Sequence, residues 1–244
     1  MQPWSQPLLW PHPSGAVNDP YFGNVVLLMG YEGTNGSTGA PGMTDESPSA
    51  HGTATRNSTG STISTAQFKF GTSSLSTTDT SSSIYFPDSN DWYFASSPFT
   101  IEMWIYPTNI TGPGYLVAQF QTSLSWAFFV QSGHLDWATS TDGSAINNDI
   151  NAAGTIVLNT WHHVCIDFDV SKYRAYVNGV MGGSFTTVRA LFNSTAPLVI
   201  SSYSTALNFN SFEGWIDELR ITKGVARYAS DAGFTVPTAA FPRS

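Results

Sequence analysis

No apolar pattern of helical period survives in this chain for longer than two turns. Short runs rich in Val, Ile, Phe, Tyr, Trp and Thr recur instead, each closed by Gly, Asn, Asp, Ser or Pro. The clearest is "FTIEMWIYP" at 99–107. Successive strand side chains point to opposite faces, so Phe99, Ile101, Met103 and Ile105 share one face and Thr100, Glu102, Trp104 and Tyr106 the other. Upstream, "VVLLMGY", "AQFKFG" and "SIYF" read as further strands. Downstream, "GYLVAQF", "WAFFVQ", "HLDWATS", "TIVL", "WHHVCIDFDV", "YRAYVNG", "PLVIS" and "GWIDELRI" follow at close spacing. Asn178–Gly179 is a hairpin-turn signal, because both residues tolerate positive φ. Only "DSNDW" and "GVARY" leave room for a turn of helix. Many short strands with regular turn signals predict an all-β sandwich or barrel.

Length and composition narrow the function classes. A chain of 244 residues holds one large β domain or two small ones. Charged residues make up only 11%, and Ser, Thr, Asn and Gly carry the polarity. The net charge of −8 argues against nucleic-acid binding, which needs a basic stripe. The one cysteine, Cys165, excludes an intramolecular disulfide and reads as a buried small hydrophobe. No stretch approaches the ~20 apolar residues of a membrane-spanning helix. The N-terminus has no basic region followed by an apolar core and is not a signal peptide. The expectation is synthesis in a cytoplasm, with which the lack of disulfides agrees.

Residues 1–24 stand apart. Pro3, Pro7, Pro11, Pro13 and Pro20 forbid regular structure, while Trp4, Leu8, Leu9 and Trp10 supply apolar anchors. This segment reads either as a terminus lying on its own domain or as an extended arm docking on a partner. Residues 32–62 have a linker's composition. The sequons at Asn35, Asn57, Asn109 and Asn193 mark surface loops.

Four pieces in order, "FTIEMWIYP", "WHHVCIDFD", "YRAYVNGVMGG" and "FEGWIDELRITKGVARY", preceded by "LLMGYEGTNGST" and "QFKFGTSSL", resemble the LamG-like branch of the concanavalin A-like lectin/glucanase superfamily. The resemblance covers roughly residues 25–243. The ending "DELRITKGVARY…FTVPTAAFP" is similar to copies carried by tailed bacteriophages and marine bacteria. The resemblance implies an all-β fold, a two-sheet antiparallel jelly-roll sandwich spanning 25–244, with its first and last strands side by side. Strand 25–31 then lies near 214–222, and 32–62 is a loop within the domain. Many such domains hold one structural Ca2+. The matching positions here are Glu32, the Gly71 carbonyl and Asp217, which suits a cation that takes ~6–8 hard oxygen ligands.

Alternation in "GWIDELRI" puts Trp215, Asp217, Leu219 and Ile221 on one face and Ile216, Glu218 and Arg220 on the other, the last two as a surface ion pair. Asp217 has a second reading, as a turn cap. Glycoside hydrolysis needs two carboxylates at a set separation, which laminarinase-type relatives present as Glu-x-Asp-x-x-Glu. Glu213, Asp217 and Glu218 have the wrong offsets and Glu102 stands alone, so no enzyme activity is expected. His162 and His163 point to opposite faces of a strand and do not jointly bind a metal. Exposed aromatic rings stack on sugars, which makes Trp92, Tyr93, Trp126, Trp137 and Tyr203 candidate glycan contacts, with core packing as the competing role. The expectation is a non-enzymatic virion protein of a tailed phage, a capsid decoration or tail-fibre adhesion protein on the virion surface. Its partners would be other virion proteins or copies of itself, and cell-surface or environmental polysaccharide. The alternative is a freestanding bacterial lectin; an unusual glycanase comes third.

Overall fold

A computed structural model describes residues 18–57, 60–79, 81–206 and 210–244. In chain order the strands are β1 Val25–Met29, β2 Thr55–Arg56, β3 Ser61–Ser64, β4 Ser74–Thr77, β5 Ile84–Phe86, β6 Phe99–Pro107, β7 Gly114–Phe120 and β8 Leu124–Gln131. There follow β9 His134–Thr139, β10 Asn147–Ala153, β11 His162–Phe168, β12 Lys172–Val177, β13 Val180–Thr186, β14 Leu198–Ile200 and β15 Gly214–Lys223. They form two antiparallel sheets. One runs β13-β12-β11-β6-β15-β4-β3 with β1 paired to β15, and the other runs β10-β9-β8-β7-β14-β5-β2. The expected all-β jelly-roll sandwich is what the chain adopts. First and last strands lie side by side, with Val25 opposite Thr222 and Met29 opposite Leu219. The loop after β1 therefore belongs to the domain.

Inward-facing residues of both sheets build the core. Phe99, Ile101, Met103 and Ile105 of β6 all enter it. The Trp137 ring from one sheet meets Phe99 and Tyr173 from the other, Trp126 stacks on Trp137, and Phe94 stacks on Phe99 at 4.2 Å. At one edge Gly182 and Gly183 of β13 lie so close to Ala153 and Gly154 that a side chain there would collide, so small residues let the two sheets meet. The Asn178–Gly179 turn has φ of 51° and 78°, the positive pair a two-residue hairpin requires.

Three sequence-predicted elements differ. "AQFKFG" is an irregular loop, because its Lys69 and Phe70 N–H groups go to the Asp217 carboxylate instead of a neighbouring strand. "TIVL" lies in a turn region, and "GVARY" is irregular, its Arg227 and Tyr228 amides bonded to Thr100 and Asp167. "DSNDW" does form a 3-10 helix, Asn90–Trp92, capped by the Ser89 hydroxyl. Among the described residues no helix is long and apolar enough to cross a membrane.

Along the middle of β6 and β15 both faces of the eight-stranded sheet are buried. The strand pattern of β6 alternates in polarity, yet Thr100, Glu102 and Trp104 are as hidden as its core residues. The cover is the C-terminal segment 224–244, with residues 18–24 beside it. Tyr228 stacks on Phe234 at 3.5 Å, and Phe234 and Phe241 both stand edge-on to His163. Phe22 packs with Val25, Leu28 and Phe241. The Asp19 N–H donates to the Ser244 carbonyl at 2.9 Å, so the two ends of the described chain meet. Residues 18–24, expected as part of an extended arm, are thus stitched to their own domain. Trp4, Leu8, Leu9 and Trp10 lie outside the described residues.

Candidate functional site

The two outer faces differ in chemistry. On the seven-stranded sheet, strand register brings Tyr115, Phe129 and Asp136 into one lateral row, and Ala118, Ala127 and Ala138 into the next, ending at Asn148. The Tyr115 and Phe129 rings stack at 4.8 Å, and Tyr203 leans on Tyr115 at the same distance. The alanine row keeps the floor low between larger side chains. Beyond Phe129 an open pocket of about 330 Å³ is lined by Gln131, His134, Asp136, Asn148 and Asn151. Asp136 accepts from the Ala152 N–H, while burial holds its carboxyl above the usual range. The His134 imidazole is bonded to the Gly154 carbonyl. The partly exposed Tyr115 ring, backed by the buried Phe129 and set beside amides and a carboxylate, suits a ligand with one apolar face and a rim of hydroxyls.

Of the aromatics named from sequence, Trp92, Trp126 and Trp137 are fully buried. They are core residues and cannot meet a sugar; the Trp126 indole N–H donates to the Trp92 carbonyl at 2.9 Å. Tyr93 is partly exposed at the end of the short helix and is not part of the Tyr115 cluster. Tyr203 is. The sequence reading missed Tyr115, Phe129 and the amides. Phe129 follows Phe128 directly, so aromatic character occupies both phases of β8 and hides which ring faces outward.

On the eight-stranded sheet, β15 carries the charged stretch. It pairs with β4 over Gly214–Ile216 and with β1 from Leu219 onward. Between these, its register against β6 slips: Asp217 faces Trp104, and Arg220 rather than Leu219 faces Glu102. Glu218 takes up the extra residue at φ 51°, the signature of a β-bulge. The bulge overturns simple alternation. Ile216, Leu219 and Ile221 enter the core together. Nor are Glu218 and Arg220 a surface ion pair, since both are buried with other partners. Glu218 accepts from Arg243 through both oxygens at 2.9 Å. Arg220 donates to Glu102 Oε1 at 3.0 and 2.7 Å and to Asp19 Oδ2 at 3.0 Å.

The structure brings Glu32, Gly71 and Asp217 to one loop. Asp217 Oδ2 accepts from the Lys69 and Phe70 N–H groups at 2.7 and 3.1 Å, filling the gap where one partner strand gives way to another. Glu32 accepts from the Thr72 N–H and, at 2.7 Å, from the Thr72 hydroxyl. Gly71, at φ 63°, lies against the Glu32 carboxylate, which leaves no room for a side chain. Asp217 Oδ1 is buried without a hydrogen-bond partner, and so is the nearby Tyr31 hydroxyl. Burial pushes the Asp217 carboxyl up to about 7. Among the described residues no three acidic, His or Cys side chains converge, so a cation here would draw on two carboxylates and main-chain carbonyls. That donor set and the orphaned Oδ1 fit a hard cation such as Ca2+.

Glu102 is completely buried, gripped by Arg220, His163 Nε2 at 3.2 Å and the Tyr228 hydroxyl at 2.6 Å. The Arg220 guanidinium holds its carboxyl far below the usual range against the cost of burial. Glu213 accepts from Asn109 at 2.9 Å at one end of the sandwich. Burial pushes the Cys165 thiol well up, which suits an inert core residue. The two histidines diverge: His162 bonds to Val157 and Asn178, His163 to Glu102.

Two twisted antiparallel sheets, closed by adjacent first and last strands, define a lectin-type jelly roll. A profile of the Laminin_G_3 family, described as the concanavalin A-like lectin/glucanases superfamily, matches residues 77–229, and the chain belongs to that family. Among solved structures, the binding domain of Paraclostridial Mosquitocidal Protein 1 superposes with a TM-score of 0.64 at 19% identity, over 83% of this chain and 49% of that one. Domain 4 of AbnA, a GH43 extracellular arabinanase from Geobacillus stearothermophilus, in complex with arabinotriose, gives 0.58 at 19%, over 82% of this chain and 93% of that one. The botulinum neurotoxin serotype D binding domain gives 0.60 at 14%, over 86% and 49%. The chain spans about half the length of these toxin chains. At such identities the likeness is one of fold. No curated protein matches the sequence.

Proposed function

We propose that this chain is a non-enzymatic, glycan-binding jelly roll displayed on the virion surface of a tailed phage, as a capsid decoration or tail-fibre adhesion protein. The observation that carries the binding part is the open face of the seven-stranded sheet, where the Tyr115–Phe129 pair borders a pocket of amides. Sugars offer apolar C–H faces to aromatic rings and hydroxyls to amides, so one surface meets both halves of the ligand. The carboxylates that a glycanase would need are committed elsewhere: Glu102 is enclosed by Arg220, His163 and Tyr228, and Glu218 is held by Arg243. Two titratable carboxyls flanking an open cleft are not what these residues supply.

The virion assignment is supported by the resemblance of the ending "DELRITKGVARY…FTVPTAAFP" to phage-borne copies. In it, residues 1–17, with Trp4, Leu8, Leu9 and Trp10, dock on a neighbouring subunit or another copy. Ca2+ is held by Glu32, the Gly71 carbonyl and Asp217. It neutralises two carboxylates and ties the start and end of the domain to the 69–72 loop. The near-full-length likeness to a module from an arabinanase favours a second reading, a bacterial carbohydrate-binding module.

Retention on immobilised neutral polysaccharides, including arabinan, tests the binding reading. Retention by wild type and its loss in Tyr115→Ala supports the reading. A wild-type chain that passes through every column unretarded ends it. Particle association of a chain lacking residues 1–17 separates the two settings: a virion protein falls off, and unchanged association removes the docking role.

A further inference from the structure

The C-terminal cover of the eight-stranded sheet is incomplete. It hides the rows from Thr100 to Trp104, and beyond it three rings stand partly exposed: Trp161, Tyr106 and Trp215. Tyr106 of β6 lies opposite Trp215 of β15, with ring centroids 5.6 Å apart at 79°. Trp161 flanks Tyr106 on the other side, also at 5.6 Å and tilted by 60°. Thr108 and Glu213 follow one residue past the ends of β6 and β15, two positions on from Tyr106 and Trp215. There the Thr108 N–H donates to the Glu213 carbonyl, and Asn109 Nδ2 donates to Glu213 Oε1 at 2.9 Å. Asn109 and Glu213 line a polar pocket of about 210 Å³ together with Thr111, Asn210 and Ser211. The three rings lie on the sheet opposite the Tyr115 face, whereas the pocket opens at the end of the sandwich, where Gly114 also lines it and the Tyr115 N–H donates to the Asn210 carbonyl at 3.0 Å.

We propose that this corner is a second carbohydrate site, one that takes a single neutral sugar unit. The rings form a stepped wall whose exposed faces accept the apolar side of a pyranose or furanose. The Glu213 carboxylate and the Asn109 and Asn210 amides stand where adjacent hydroxyls would project. An ionised acceptor is roughly twice as strong a partner for a hydroxyl as a neutral one, so Glu213 is the main polar anchor. The same carboxylate, in a chain of net charge −8, repels uronic and sialic acids, which sets the class as neutral. The proposal rests on the glycan-binding reading but uses none of the residues of the first face.

The test exploits the tryptophans. Trp92, Trp104, Trp126 and Trp137 are buried, and the Tyr115 face has no Trp in its cluster. Indole-15N-labelled protein is titrated with arabinotriose, cellotriose and maltotriose, and with trigalacturonate as the acidic comparison. Signals are assigned through Trp161→Phe and Trp215→Phe. The expected result is that a neutral trisaccharide shifts the Trp161 and Trp215 signals in wild type and equally in Tyr115→Ala. Glu213→Ala, an exchange at a partly exposed residue, weakens that titration at least tenfold, and trigalacturonate shifts nothing. A neutral sugar that binds, leaves both signals unmoved and is lost in Tyr115→Ala overturns the second site while preserving the first. If no trisaccharide perturbs any indole signal of the wild-type protein, the second site falls, and if calorimetry also detects no binding of any of them, the glycan-binding reading falls with it.

Discussion

The two outer faces of this sandwich use polar residues in opposite ways. The eight-stranded sheet buries its charges: Glu102, Arg220, Asp217, Glu218 and Asp167 all lie beneath the C-terminal segment or the 69–72 loop. Apart from the orphaned Asp217 Oδ1, its carboxylates and guanidinium are closely partnered, and Arg227 adds two bonds to Asp19 at 2.9 and 2.7 Å. The seven-stranded sheet leaves Tyr115, Tyr203, Gln131, Asn148 and Asn151 wholly or partly at the surface, with only small side chains in its central row. Charge density in the sequence therefore marks where the chain is closed, and the region poor in charge is where it is open. The dense stretch in β15 is a clasp that joins both ends of the domain.

This contrast is most exposed at Glu102. Replacing it with Ala leaves Arg220 buried without its main partner and removes an acceptor from His163 and Tyr228. Breaking a buried pair from one side costs about 3–5 kcal/mol, so Glu102→Ala should lower the unfolding free energy in urea by about that much. Stability equal to wild type would show that the clasp does not depend on charge.

Asp217 and Glu102 lie two rows apart and respond to pH with opposite signs. Asp217 has its folded value raised to about 7, so without a cation the folded state binds the proton more tightly than the unfolded chain. Its contribution is present below its unfolded value and is lost as pH rises through about 7, by up to about 4 kcal/mol at ~1.4 kcal/mol per pH unit. Glu102 has its folded value lowered, so its contribution is present above the unfolded value and is lost as pH falls below it. In chelator, thermal stability should decline from about pH 4 to pH 8. Asp217→Asn should flatten that decline, and Ca2+ should abolish it, because a bound cation favours the ionised carboxylate. Identical melting with and without chelator across this range would remove the Ca2+ site.

A smaller effect is expected at the rim of the clasp. Arg243 is partly exposed and spans Glu218 and Glu46. Arg243→Ala should cost about 1–3 kcal/mol, chiefly because Glu218 is left buried and unpaired. Glu218→Gln in the same background should recover part of that loss in urea melts. The smallest stability change belongs to the open face. Tyr115→Ala removes a stacked ring worth about 1 kcal/mol, yet it should weaken glycan retention at least tenfold. A large destabilisation with unchanged retention would reverse the roles of the two faces.

Much of the fold was legible in the residues. Alternation in β6, the Asn178–Gly179 turn and the order of the strand runs all carry over, because period-2 patterning and turn chemistry are local. Glu32, Gly71 and Asp217 were named together through resemblance and not through spacing. What failed has a common cause. Alternation breaks at Glu218 because a bulge inserts one residue, and no local signal in "WIDELR" announces it. "AQFKFG" reads as a strand, but its amides are claimed by a carboxylate 147–148 residues away. Trp92, Trp126 and Trp137 share their composition with a ligand platform and differ from one only in being covered.

The sequence by itself determined that this chain makes short strands and closes them with turns. Those properties rest on backbone preference and side-chain periodicity, which act over a few residues. Only the tertiary structure decided which polar groups became a clasp and which stayed open to a ligand. Burial and ion pairing depend on what the C-terminal segment lays over each sheet, and that segment comes from far along the chain.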